Sequence, residues 1–144
     1  SSDPFYITTP IYYVNGQPHL GHAYTSVATD VIARFNRKDG RPVYFLSGTD
    51  EHGQKVQKSA EDSGKTPSEF SDEVSSNFRA LLGELNCSVD DFIRTTETRH
   101  KKGVAELWKR LQDKDQIYLG SYDGWYSIRD ETFYAESELV DGKA

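Results

Sequence analysis

Residues 5–24 read FYITTPIYYVNGQPHLGHAY. The opening is β-branched and aromatic, which predicts a buried strand running into a loop at Pro10. The loop carries the Asn15-Gly16 turn and reaches Pro18, a residue favoured at a first helical position. Val27, Ala28, Val31, Ile32 and Phe35 then recur at helical spacing, which predicts a helix with those residues on its core face, ended by Gly40. Further on, PVYFLSG (42–48) predicts a second apolar strand, halted by GTDEHG, with another helix beginning near Gly53. Strand, loop, helix, strand, loop, helix implies an α/β chain with a parallel sheet and right-handed crossovers.

The pattern continues. Phe70, Val74, Phe78, Leu81, Leu82 and Leu85 form a helical stripe with Pro67 near its start. DDFIRTT (90–96) predicts a further strand, and Val104, Leu107, Trp108 and Leu111 a further helix. These stripes are expected to be core faces. The end differs: IYLGSYDGWYSIRDETFY (117–134) alternates aromatic and polar residues around Asp123-Gly124, a strong hairpin signal. Antiparallel ribbon after βαβ material suggests a subdomain inserted into or appended to the parallel fold. Only half of a doubly wound sheet is visible, and VDGKA (140–144) completes no element, so the chain reads as a fragment.

Composition narrows the function. The 144 residues allow one domain with a real core, with 28% charged and 35% hydrophobic residues. No apolar run approaches the roughly 20 residues of a membrane span, and no secretory signal opens the chain. A net charge of −6 argues against a polyanion-binding surface across the whole chain, the one basic cluster being Arg99 to Lys102. The single cysteine, Cys87, excludes an internal disulfide and reads as a buried structural thiol. Acidic balance, absence of a leader and the lone cysteine predict a cytoplasmic setting, with a mitochondrial one open.

His19 and His22 lie three apart, so on a helix they share a face. In the first turn, unsatisfied backbone N–H groups and the helix dipole favour an anion, and Gly21 between them permits close approach. In open α/β sheets ligands bind beyond the carboxyl ends of strands, where this turn lies. The pair reads as a phosphate clamp or as two solvated histidines at a helix start. Zinc would need a third ligand, and none stands at standard spacing. Neither G-x-G-x-x-G nor a P-loop is present. Asp50, Glu51 and His52 follow the second strand at the same rim. A carboxylate there can hold an ammonium group, or Asp50 can cap a helix.

Taken together, ITTPIYYVNGQPHLGHAYT, FLSGTDEHGQKV and DDFIRTTETRH resemble the catalytic region of methionyl-tRNA synthetases, HLGH matching the class I HIGH signature. The resemblance spans about Phe5 to Val140. It implies the first half of a Rossmann-type parallel nucleotide-binding fold over residues 1–115. Residues 116–144 would then form part of the connective-peptide subdomain, an antiparallel hairpin, with the remaining catalytic and anticodon-binding parts absent from the chain. It implies ATP, with Mg²⁺, against Asn15, His19, Gly21 and His22, the two histidines being catalytic. It implies methionine against Pro10, Ile11, Tyr13, Asp50 and His52, with Asp50 on the ammonium group. A thioether suits aromatic and apolar neighbours. The expected activity is ATP-dependent formation of methionyl-adenylate and transfer to tRNA(Met), the rest of the enzyme being a partner and the membrane none. A synthetase for another apolar amino acid, or a nucleotide-binding module without catalysis, are the alternatives.

Two departures from the family pattern are visible. No KMSKS-type loop occurs, so this chain alone is not expected to be competent. Many relatives hold zinc through C-x-x-C pairs after GWY, but here Ser127 and Asp130 stand where the first pair would be, so no zinc is expected.

Overall fold

The computed structural model describes residues 3–140, so the terminal DGKA (141–144) lies outside the described residues. Two compact units divide the chain, the first running to Lys101 and the second starting at Lys102. No helix is long and apolar enough to cross a membrane among the described residues.

In the first unit the opening aromatic run forms two short strands, β1 (Phe5–Thr8) and β2 (Tyr12–Tyr13), because Pro10 between them has no N–H for the ladder. The helix α1 (Leu20–Lys38) leads to β3 (Val43–Asp50). Then come α2 (Gln54–Asp62), α3 (Pro67–Glu84), β4 (Asp91–Arg94) and α4 (Thr98–Gln112), which crosses the boundary between the units. All four strands are parallel, as the alternation predicts. The carbonyls of Leu46 and Asp50 accept from Thr9 and Val14, whereas those of Phe45 and Thr49 accept from Asp90 and Thr95. Alternate carbonyls of a strand point to opposite edges. Strands β1 and β2 therefore line one edge of β3, and β4 lines the other.

The core gathers Tyr12, Val14, Val56, Val74, Phe78, Leu82 and Phe92, with Cys87 packed against it as a structural thiol whose pKa burial raises. Helix α3 buries its stripe as predicted and is entered through a capping box between Thr66 and Glu69. Helix α1 does the reverse of the expectation. Its apolar residues Val27, Val31, Ile32 and Phe35 are exposed, while Ser26, Thr29, Asp30, Ala33 and Asn36 are buried. Small side chains let the helix lie close to its neighbours, and its polar groups find partners. Ser26 Oγ meets Tyr12 Oη at 2.9 Å, and the Asp30 carboxylate accepts from the Ser88 N–H at 2.6 Å. Burial would raise the Asp30 pKa, but bonds from Ser88 and Arg34 outweigh it and hold the carboxyl below the ordinary range. The apolar face of α4 is exposed too, at Val104, Leu107 and Trp108. The sheet also has an open patch, where Tyr6 and Tyr44 stack with centroids 6.1 Å apart.

In the second unit β5 (Trp125–Ser127) and β6 (Thr132–Tyr134) pair antiparallel, followed by a 3₁₀ turn at Glu136–Glu138. The hairpin is present, but its turn lies at 128–131 and not at Asp123-Gly124. Side chains build that turn: Ser127 Oγ donates to Asp130 at 2.8 Å and accepts the Asp130 N–H at 3.2 Å, and Glu131 adopts φ 53°. Gly124 instead lies against the Phe133 ring, at a distance that a Cβ would meet as an ordinary contact.

Candidate functional site

The helix starts two residues later than expected and gains a mechanism. Pro18 stays outside, His19 is the N-cap, and α1 begins at Leu20. The Gly21 N–H donates to His19 Nδ1 at 3.1 Å, and the His19 N–H donates to His22 Nδ1 at 3.0 Å. This is a capping box made from two imidazoles, where Ser or Thr with Glu is usual. A ring nitrogen that accepts carries no proton, so each neutral ring keeps its proton on Nε2. The two rings lie 3.8 Å apart at their centroids, and each leaves an Nε2–H donor outside the cap.

His22 packs edge-on against the stacked rings of Tyr12 and Phe78, each with its centroid 4.9 Å away. Burial first, and the nearby His19 second, lower its pKa, so the ring is kept neutral and acts as a hydrogen-bond donor. Gly21 leaves room for the His19 ring: a Cβ there would stand 2.9 Å from His19 Cε1 and 3.1 Å from Nδ1, so the ring would have to shift. The sequence assigns Gly21 a close approach by a ligand or a second backbone.

A cavity of about 540 Å³ opens at this turn, and Pro10, Ile11, Tyr13, Asn15, His19, Gly21 and His22 all line it. Seven of the nine site residues named from the sequence are thus brought together. Asp50 borders the group: it is the register partner of Tyr13, and its carbonyl accepts from the Val14 N–H at 3.4 Å. His52 is not brought to the cavity; its Nε2 lies 3.3 Å from the Thr95 carbonyl. A hollow of about 660 Å³ on the outer side of α1, around Leu20, Tyr24 and Val27, has almost no polar lining and offers no chemistry.

Sequence reasoning missed two elements. Tyr12 orients His22, and the period-two alternation of Tyr12, Tyr13 and Val14 could have placed it on the buried side. Glu51 was expected only as part of a polar rim. It is a buried carboxylate, accepting from Thr49 at 2.7 Å, from Arg94 at 2.7 and 3.0 Å, and from Thr96. Burial would raise its pKa, but the bonds from Arg94, Thr96 and Thr49 outweigh that and hold it below the ordinary range. Nothing local in the sequence announces a partner 43 residues away.

Comparison with known proteins identifies the family. The family model described as tRNA synthetases class I (M) matches residues 5–144. A methionine–tRNA ligase of Rickettsia bellii is 60% identical over 142 residues, and that of Rickettsia prowazekii 62% identical over 139. The alignments take in 99% and 96% of this chain. The chain spans only 28% and 27% of those relatives' own length. The solved structure of Mycobacterium tuberculosis methionyl-tRNA synthetase in complex with methionyl-adenylate superposes with a TM-score of 0.90 at 49% identity, covering 97% of this chain and 28% of that one. Because the family model matches nearly the whole of this chain, the chain belongs to the class I (M) tRNA synthetases.

Proposed function

We propose that this chain supplies the signature-histidine part of a methionine-activating site. ATP, carrying Mg²⁺, lies with its phosphates at the start of α1, where the Nε2–H groups of His19 and His22 donate to them. Methionine lies against Pro10, Ile11 and Tyr13, with Asp50 holding its ammonium group. A methionine carboxylate oxygen attacks the α-phosphorus, the bond to the bridging oxygen of the β-phosphate breaks, and pyrophosphate departs, leaving methionyl-adenylate. The methionyl group then passes to tRNA(Met). The chain's own contribution is positioning and stabilisation of the charge that develops on the phosphates. The observation that supports the reading is the reciprocal His19–His22 cap, which leaves two Nε2–H donors for an anion. The likeness to a protein solved with methionyl-adenylate supports the choice of substrate.

The test is ATP–pyrophosphate exchange across a panel of amino acids, in a polypeptide of the relatives' full length that carries this chain. Exchange with methionine alone is expected. Exchange with another apolar amino acid would keep the class and overturn the specificity, and no exchange with any would favour a module without catalysis. We also propose that the ribbon of the second unit holds no zinc. Ser127 and Asp130 bind one another, and one hydroxyl with one carboxylate does not fit that ion. Elemental analysis of the purified chain is expected to find zinc far below stoichiometric; one zinc per chain would refute the assignment.

A further inference from the structure

The buried ion pair at the end of β3 has no place in the chemistry above, yet it is costly to build. Placing a charge inside a protein costs several kcal/mol unless its partners are well arranged. The Glu51 side chain has 0% exposure, and four donor atoms on Thr49, Arg94 and Thr96 satisfy it. Arg94 is itself held from the other side by Asp72 of α3, at 2.6 Å. The backbone is tied as well: the Glu51 N–H donates to Thr95 Oγ1 at 2.8 Å. Thr49 Oγ1 in turn accepts from the Ser75 hydroxyl of α3, at 3.2 Å.

Strand alternation gives this network a consequence. Successive side chains point to opposite faces, and a slip of one residue turns every side chain over. Thr49 and Glu51 are bonded to each other and to α3 and β4, so both are fixed on the side of the sheet that carries α3. Asp50, between them, is thereby left on the opposite side. Tyr13, its register partner, shares that side and lines the cavity.

We propose that Glu51, clamped by Arg94, is a positioning residue that holds the Asp50 carboxylate beside Tyr13, where an α-amino acid's ammonium group is bound. The inference rests on the methionine-activating reading. Glu51 touches no substrate and acts only through Asp50.

Its test is a double-variant cycle, Glu51→Gln with Asp50→Asn, read by pyrophosphate exchange in a polypeptide of the relatives' length. Glu51→Gln is expected to raise KM for methionine by on the order of tenfold to a hundredfold, as a displaced binding group does, and to leave KM for ATP within about twofold. In the Asp50→Asn background the same change is expected to add little, because the group it positions is gone. If Glu51→Gln folds poorly, Thr96→Val removes one donor to the carboxylate and keeps the charge. It should then show the same KM split at smaller amplitude in a protein that still unfolds in one cooperative transition. Equal losses for methionine and ATP, or full additivity with Asp50→Asn, would mean a general structural role and overturn the proposal. A raised methionine KM in Asp50→Asn with none in Glu51→Gln or Thr96→Val would overturn this inference and leave the functional reading standing. An Asp50→Asn protein with ordinary methionine KM would overturn the assignment of Asp50, and the inference with it.

Discussion

At the scale of the residue, the two histidines of the opening stretch do two jobs with one geometry. Each Nδ1 satisfies a backbone N–H of the helix start, and this fixes the tautomer that leaves Nε2–H free to donate. A cap of this kind is strong in place but brittle to substitution, since removing one ring frees the other. His22→Ala is expected to lower methionine-dependent exchange by about 10²–10³, the usual loss for one donor to developing charge. Near-normal exchange in that variant would show that His22 does not touch the phosphates. The lowered pKa of His22 also carries a stability prediction. In the folded chain the ring resists protonation, so between its lowered value and 6.5 the unfolded chain binds more protons. Stability from this group is therefore complete above 6.5 and is lost as pH falls through that window. Urea midpoints measured from about pH 5 to about pH 7.5 should rise with pH, and the slope should shrink in His22→Asn. An unchanged slope would assign the titration to another group.

At the scale of the element, the tightest constraint is where β3 meets β4. A Cβ on Gly48 would lie 2.1 Å from the Ile93 carbonyl oxygen, a backbone atom that cannot yield without breaking the pairing of Gly48 with Ile93. Gly48→Ala is therefore expected to destabilise the chain by about 1–3 kcal/mol, the range for forced overpacking. Equilibrium unfolding in urea reads this directly, and an unshifted midpoint would mean that the two strands separate at little cost. The same element shows what a sequence makes legible. Strand–helix alternation and turn residues are local, so the parallel order of β1, α1, β3, α3 and β4 could be read from them. Which face of α1 is buried could not, because a stripe of valines looks like a core face wherever it points. The decision lay with Ser26, Thr29 and Ala33, whose small size becomes an advantage only once the sheet they lie against is known. The hairpin turn was misplaced for a related reason: Asp123-Gly124 is a strong local signal, but the bonds between Ser127 and Asp130 build a competing turn from side chains. At the site, His19 and His22 were legible because three-residue spacing is local. The Glu51–Arg94 pair was not, since it joins the ends of two strands.

At the scale of the whole molecule, the outward face of α1 sets the solution behaviour. Leu20, Tyr24, Val31 and Phe35 are 84%, 75%, 60% and 68% exposed, and they follow one line down a helix of 19 residues. From Leu20 to Phe35 that line is about 22 Å long at the usual rise per residue. Monomeric soluble proteins rarely leave so long an apolar strip in water, while singly scattered exposed apolar residues are ordinary. Each of these side chains gains free energy when covered, at roughly 25 cal/mol per Å² of apolar surface removed from water. The chain by itself is thus expected to associate as its concentration rises, and to enhance the fluorescence of an apolar-surface dye such as ANS. Val31→Lys combined with Phe35→Glu should suppress both effects, because a charge on each of the two turns makes coverage costly. Helix content should be unchanged in that variant, since neither side chain belongs to the buried face. Sedimentation velocity over a concentration series distinguishes the outcomes. If the unsubstituted chain and the variant sediment identically as monomers, α1 does not drive association. If the variant instead loses its helical signal, these side chains support the fold itself, and the polar face of α1 does not suffice to hold it against the sheet.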